Sequence, residues 1–279
     1  MAKYSPFISS TPNMIFRLCL ILGLLCSYTP AFPKTPKVAT LSPHITELVY
    51  SAGAGPLLVG VSAYSNYPEE ATQLPVIGDA FAINQELLLQ LKPDLVLYWK
   101  DNIAKQMVNQ VENLGIKTLA IDTLHIADIP KAIQVIADTT GTTPNTAVAN
   151  FLPRIEALKA NAQNKPQLKA LIQISDKPIY TVNKNHWMSE SLNICGMTNI
   201  FADLPLQSTS VNLESIIARN PDVLVRFSPI TPNEQLALYP QINAIKNNNI
   251  IQVNPDHFSR ATLRLLSAIE VLCQPLTSN

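Results

Sequence analysis

The chain has 279 residues, 47% of them hydrophobic and only 14% charged, with 20 Lys+Arg against 20 Asp+Glu. That length and apolar content suffice for two lobes with a sizeable core. No basic stripe is present to hold nucleic acid, and no GxGxxG or Walker-type run to cradle phosphate. GxSxG, HExxH and a Cys–His pairing of the catalytic kind are absent as well, so nothing in the sequence marks an enzyme.

In chain order, the first element is a targeting segment over residues 1–31. Lys3 and Arg17 supply positive charge, no acid precedes Glu47, and the apolar run 18–26 is too short to span a bilayer. Thr29-Pro30-Ala31 offers small residues for cleavage. This is the layout of a cleavable secretory signal peptide, with a retained anchor as the alternative. Cys19 and Cys26 leave with it. Cys195 and Cys273 remain as an even pair in an oxidising compartment, either bridged or two buried thiols.

A strand at 38–41 comes next. Ser42 and Pro43 stand as N-cap and first residue of a helix that Gly53 ends. Glu86 then opens an apolar helix, Pro93-Asp94 follows it, and 95–98 reads as a buried strand closed by Trp99. The run 214–227 repeats this with identical spacing: Glu214, apolar helix, Pro221-Asp222, strand, Phe227. Upstream, Ser189-Glu190 and Gly196 echo Thr46-Glu47 and Gly53. Strands alternating with helices imply parallel sheets with right-handed crossovers. The fold class is α/β: two Rossmann-like lobes, residues 32–140 and 167–279, joined by a long backbone helix within 141–166. Phe151, Ile155 and Leu158 recur there at helical spacing over 143–163, and Pro153 should kink it. A ligand cleft is expected between the lobes.

Several side chains have two readings. Trp99 ends a strand, where open α/β sheets bind ligands, and Tyr64 is either a pocket or a core aromatic. Asp256 and Arg260 form a surface ion pair, or act as pocket groups with the guanidinium fork aimed at the ligand. Of four histidines no two share an HxxxH spacing, which speaks against a bare metal ion. His44 and His257 each follow a strand end, and a neutral imidazole there would ligate a metal carried inside the cargo. Glu86 and Glu214 either cap their helices or give each lobe a charge for docking.

Five stretches carry a family resemblance. They are Thr40-Leu41-Ser42-Pro43-His44-Ile45-Thr46-Glu47-Leu48, Ser62-Ala63-Tyr64-Ser65-Asn66-Tyr67-Pro68, Leu91-Lys92-Pro93-Asp94-Leu95-Val96, Cys195-Gly196-Met197-Thr198-Asn199-Ile200-Phe201, and Asp256-His257-Phe258-Ser259-Arg260. Together they resemble the helical-backbone periplasmic binding proteins that carry metal chelates, siderophores and vitamin B12, over nearly all the chain after the leader. The resemblance implies a monomeric periplasmic protein that takes cobalamin or a related corrinoid to the permease subunits of an ABC importer. The same role with haem or a ferric siderophore is the alternative, and the cargo is the only cofactor-like molecule implied. Tyr64 and Trp99 would lie against the corrin ring, with Asp256 and Arg260 on the C-terminal lobe's side. Glu86 and Glu214 would dock onto permease arginines, and Cys195 would bridge to Cys273. B12-carrying members place further tryptophans at positions matching Ala80, Ser208 and His257; here Phe81 stands in for one, which reduces flat contact area. An anionic siderophore would need cations, and the candidates are Arg260, Lys100, Lys184 and Arg226. The lobes should move little, because a helix spans them.

Overall fold

Two runs of branched apolar residues, each placed just after a Pro-Asp pair, form central strands of two parallel sheets. The computed structural model describes residues 1–4, 35–100, 105–163, 165–227 and 234–276. Residues 36–279 form one compact unit. Beyond Met1–Tyr4, the expected signal peptide lies outside the described residues.

In the first lobe, β1 (Val38–Thr40), β2 (Leu58–Ser62), β3 (Val76–Gly78), β4 (Leu95–Trp99) and β5 (Lys117–Ile121) make a five-stranded parallel sheet in the order β3-β2-β1-β4-β5. Its helices are α1 (Pro43–Ser51), α2 (Gln85–Leu91), α3 (Lys105–Asn113) and α4 (Asp128–Thr140). The backbone helix α5 (Ala147–Ala162) follows. The second lobe has β6 (Leu168–Gln173), β7 (Ile179–Val182), β8 (Met197–Asn199), β9 (Ser208–Val211), β10 (Val223–Phe227) and β11 (Ile250–Val253). Four of these form a parallel sheet in the order β11-β10-β6-β8. β7 and β9 form a separate antiparallel ribbon, which strand–helix alternation did not foreshadow. Its helices are α6 (Trp187–Ile194), α7 (Leu213–Arg219), α8 (Glu234–Ala237), α9 (Asn243–Lys246), α10 (Pro255–Phe258) and α11 (Leu265–Leu272).

The internal repeat is exact in its hydrogen bonds. Asn84 caps α2 by accepting from Leu87 N at 3.0 Å, and Asn212 caps α7 by accepting from Ser215 N at 2.9 Å. Each helix stops on a left-handed residue, Lys92 (φ 51°) and Asn220 (φ 45°), and a proline then bars its continuation. The aspartate after that proline latches the neighbouring strand. Lys37 N donates to Asp94 Oδ2 at 2.9 Å, as Lys169 N donates to Asp222 Oδ2 at 3.0 Å. Each aspartate's own N–H returns a bond to the same lysine's carbonyl, at 2.8 and 2.7 Å.

Ser42 is the N-cap of α1 with extended angles, and Pro43 is its first residue, yet the Ser42 hydroxyl makes no capping bond. It faces His44 Nδ1 at 3.3 Å instead. Gly53 and Gly196 close α1 and α6 in the left-handed region, as expected. The backbone helix starts at Ala147, four residues after the expected Thr143. Pro144 bars helical angles at Thr143, and Asn145 N turns back to Ser51 O at 2.9 Å. The helix continues past Pro153 as one element.

Phe151 and Ile155 of α5 belong to a single apolar cluster that also holds Ile129, Ile133 and Ile136 of the first lobe and Leu192, Leu265 and Ile269 of the second. The lobes therefore share a core. Cys195 and Cys273, at the C-caps of α6 and α11, are bridged, with Cα atoms 4.7 Å apart across 78 residues of sequence. Opening that loop returns chain entropy to the unfolded state, about 4 kcal/mol on the loop-closure relation. The double variant Cys195→Ala/Cys273→Ala should accordingly lose a few kcal/mol of unfolding free energy in urea; an unchanged midpoint would show the bridge to be energetically idle.

Candidate functional site

β1 and β4 are neighbours in the sheet, and the strands outside them run off in opposite directions. The crevice beyond their carboxyl ends is the switch point, where open α/β sheets take ligands. A cavity of about 330 Å³ lies there, lined by Leu41 to His44 after β1, Ser62 to Tyr64 after β2, Asp79 to Phe81, and Trp99 at the end of β4. Ser259 and Arg260 of the second lobe close it.

Three aromatics face this space. Trp99 lies along its floor, with the His44 ring edge-on at 4.8 Å and the Trp187 ring of the other lobe at 5.8 Å. Trp187 is itself fixed, since its Nε1 donates to Phe258 O at 3.0 Å. At the mouth stand Tyr64, 82% exposed, and Phe81, 89% exposed. Asp79 explains the pose of Phe81: its Oδ1 accepts from Phe81 N at 2.7 Å and Ala82 N at 2.9 Å, a tight turn that throws the ring outward. Those two amides hold the Asp79 carboxyl below the usual carboxylate range. Tyr64 owes its pose to a left-handed backbone, φ 65°, which costs a side-chain-bearing residue about 1–2 kcal/mol.

The His44 imidazole is neutral. Burial first, and then the nearby Arg260 charge, push its pKa down to about 3. Its Nε2 and the Trp99 Nε1 are both buried without a hydrogen-bond partner. The ring thus packs into the floor rather than presenting a nitrogen to the cleft. His257, half-buried, sits among Arg264, Glu47, Asp256 and Arg260; burial and the two arginines outweigh the carboxylates and lower its pKa.

Beside the cavity the lobes are tied by charge. Glu47 of α1 is only 2% exposed. Its Oε1 accepts from Arg260 Nη1 at 2.8 Å, and its two oxygens accept from Arg264 Nη2 and Nε. Arg260 also donates to Asn66 Oδ1 (2.8 Å), Tyr64 O (3.2 Å) and Asp256 Oδ1 (2.8 Å). Asn66 Nδ2 donates onward to Asp256 Oδ2 at 2.8 Å. Arg264 lays its guanidinium over the Tyr67 ring, 4.1 Å from the centroid. A second tie joins Glu190 of α6 to the His125 ring and to Ile126 N, the latter at 2.9 Å.

The sequence candidates divide accordingly. Tyr64, Phe81, Trp99, His44 and Arg260 converge on one cavity. Asp256 and His257 adjoin Arg260 without lining the wall. Glu86 and Glu214 are exposed in the first turns of α2 and α7. Glu47, Asn66, Arg264 and Trp187 were not singled out from sequence. The four-residue spacing of Asp256, Arg260 and Arg264 was the available signal for one of them. A larger cavity, about 750 Å³ and lined by Tyr50, Tyr67, Glu70 and Arg264 among others, holds none of the candidates. Its size carries less weight than the convergence of aromatics at the switch point. Among the described residues no three His, Cys, Asp or Glu side chains gather to hold a metal ion, and no helix is long and apolar enough to cross a membrane.

Two α/β lobes, a spanning helix and an interlobe cleft walled by aromatics are the architecture of a solute-binding protein. The periplasmic binding protein family model matches residues 38–256, and the chain belongs to that family. It is 34% identical over 274 residues to the vitamin B12-binding protein of Pectobacterium carotovorum, covering 95% of this chain and 97% of the relative. The crystal structure of the periplasmic vitamin B12 binding protein of Vibrio cholerae matches with a TM-score of 0.78 at 29% identity, over 86% of this chain and 96% of that one. A periplasmic heme-binding protein from Roseiflexus sp. RS-1 shares the fold, with a TM-score of 0.74 at 20% identity over 86% and 98% of the chains.

Two outcomes follow from these contacts. Glu47→Gln leaves the largely buried Arg264 without its countercharge and Arg260 with Asp256 alone, and should cost about 3–5 kcal/mol of unfolding free energy in urea; a loss under 1 kcal/mol would mean that water replaces the carboxylate. For His44 the sign runs toward acid lability. Above pH 6.5 both folded and unfolded states are neutral, whereas between 6.5 and about 3 only the unfolded chain takes the proton. Stability is therefore present above 6.5 and falls as pH drops, by up to about 1.4 kcal/mol per unit. His44→Phe should lose about 2 kcal/mol less than the parent between pH 7 and 5, as read by denaturant titration at the two pH values.

Proposed function

We propose that this chain is a periplasmic solute-binding protein that captures vitamin B12, or a related corrinoid, between its lobes and delivers it to the permease of an ABC importer, catalysing no reaction. The observation that carries this reading is the aromatic wall. Tyr64, Phe81 and Trp99 face one cleft at the switch point, two of them almost fully exposed. Exposed rings on that scale suit a large, flat, largely neutral ligand that stacks on them. The exposed rings extend the contact surface beyond the 330 Å³ cavity. The four charges beside the wall, Glu47, Asp256, Arg260 and Arg264, compensate one another, which suits an amide-rich cargo better than an anion. Relatives named for vitamin B12 binding, similar over nearly the full length, support the same cargo.

Haem as cargo draws on one observation, the exposed Tyr64 phenol, a group able to ligate ferric iron. A ferric siderophore draws on less. Of Lys100, Lys184, Arg226 and Arg260, only Arg260 lines the cavity. Lys100 pairs with Asp122, and Arg226 is buried within β10. In our reading residues 1–31 are removed on export, 32–140 and 167–279 are the lobes, and 141–166 carries the spanning helix. Glu86 and Glu214, exposed at equivalent positions of the two lobes, are the surfaces that meet the two permease subunits. Asp256, Arg260 and His257 border the cargo on the second lobe's side.

Calorimetric titration of the chain beginning after residue 31 with cyanocobalamin tests this. One-to-one binding is expected, with Trp99→Ala weakening it about 10- to 100-fold. Binding of haemin or a ferric siderophore in place of cyanocobalamin would move the cargo to the alternative, and binding of none of them would sink the reading.

A further inference from the structure

The geometry points to Arg260 of the opposite lobe and Asn66 of the same turn as positioning residues that together hold Tyr64 in place; this rests on the cleft being the cargo site. Tyr64 is exposed, left-handed and at the mouth, so its ring direction depends on what fixes residues 62–66. Within the first lobe Ala63 N donates to Gly78 O at 2.7 Å and Asn66 N to Tyr64 O at 2.9 Å, and the side-chain pin is at Ser65. Ser65 N donates to Ser62 O at 3.3 Å, and the Ser65 hydroxyl meets the Thr46 and Ser62 hydroxyls at 3.0 and 3.3 Å. On either side of Ser65 the side-chain anchors come from the second lobe. Arg260 Nη2 donates to Tyr64 O, and Arg260 Nη1 donates to Asn66 Oδ1.

Asn66 closes this into a ring. Its oxygen accepts from Arg260, its amide donates to Asp256, and Asp256 accepts from Arg260. Only a side chain with both an acceptor and a donor on one planar end completes that circuit between a cation and an anion. The arrangement also assigns Arg260 its work. Its side chain is 10% exposed, and both Nη atoms are taken by Glu47, Asn66, Tyr64 O and Asp256. It borders the cavity, but its donors serve the turn. A turn already fixed when cargo arrives loses no ordering entropy on binding, so the ring contributes through preorganisation.

The polarity of the ring supplies a test that simple damage does not mimic. Asn66→Asp keeps the acceptor for Arg260 and sets a carboxylate against Asp256. Adding Asp256→Asn restores a donor–acceptor pair with the polarity reversed. Cyanocobalamin affinity is expected to fall at least tenfold in Asn66→Asp and to recover in the double exchange. In the Tyr64→Ala background Asn66→Asp should have little further effect, because the turn then has no ring to present. Amide hydrogen exchange of the cargo-free protein reads the same ring without any ligand. Protection of the amides of Ser65 and residue 66 should drop at least tenfold in Asn66→Asp and return in the double exchange. Unchanged protection overturns the proposal whatever the cargo, as does a loss of affinity that adds in full to that of Tyr64→Ala. If the parent protein does not bind cyanocobalamin, the corrinoid reading fails and the exchange result alone decides the positioning role.

Discussion

A single carboxylate at the lobe boundary, Glu47, sets the geometry of the cleft. It leaves water almost completely, and two guanidinium groups from the other lobe leave most of theirs to reach it. Such a cluster is a poor source of net stability, because the desolvation of its charges offsets most of the Coulomb attraction. What it supplies is registration. Apolar faces slide over one another by an ångström at little cost, whereas the bonds from Arg260 and Arg264 to Glu47 weaken steeply when length or angle changes. The cleft therefore has a defined width before any cargo enters, and the aromatic wall stands at a fixed distance from Ser259 and Arg260 opposite.

The packing agrees with that constraint. Trp99 meets Trp187 across the boundary, and Trp187 is bonded to the backbone of α10. The α5 helix carries Phe151 and Ile155 into a cluster shared by both lobes. Opening this molecule as a hinge would expose part of a continuous core and strip partners from buried charges. Binding must draw on surfaces already in place, and the neutral His44 fits the same logic. A charged imidazole beneath Trp99 would lie beside the Arg260 cation in a dry floor, and burial with that charge keeps the proton off.

Much of the architecture was legible because it is local. Asn84 with Lys92, Pro93 and Asp94, and Asn212 with Asn220, Pro221 and Asp222, encode cap, stop and latch within about a dozen residues each, so the repeat reads straight from sequence. Trp99 was legible for a related reason, since a residue that ends a strand of such a sheet sits at its carboxyl edge, whereas Tyr64 and Phe81 were legible through the family resemblance. The charged network was not. Glu47 lies 213 residues from Arg260 and 217 from Arg264, and nothing near any of the three shows that it will be buried. The sequence accordingly leaves Arg260 as either a surface ion pair or a ligand donor, and Trp187, lacking a repeat partner, carries no signal. The β7–β9 ribbon is non-local in the same way, since its pairing depends on strands separated by a helix and by β8.

The repeat and the network nevertheless meet at one point. Thr46-Glu47 and Ser189-Glu190 are echoes of each other, each six residues ahead of the glycine that ends its helix. Both glutamates reach out of their own lobe. Glu47 takes Arg260 and Arg264 of the second lobe, and Glu190 takes His125 and the Ile126 amide of the first. Equivalent positions on equivalent helices thus supply two of the polar ties, one to paired cations and one to a loop. A motion that lengthens either tie is opposed by groups on the opposite lobe, and the spacing of the walls follows from the duplicated helix as much as from α5. The lobes differ at the cleft, with the aromatic wall on the first and the arginine pair on the second, while both present the helix that fixes one against the other.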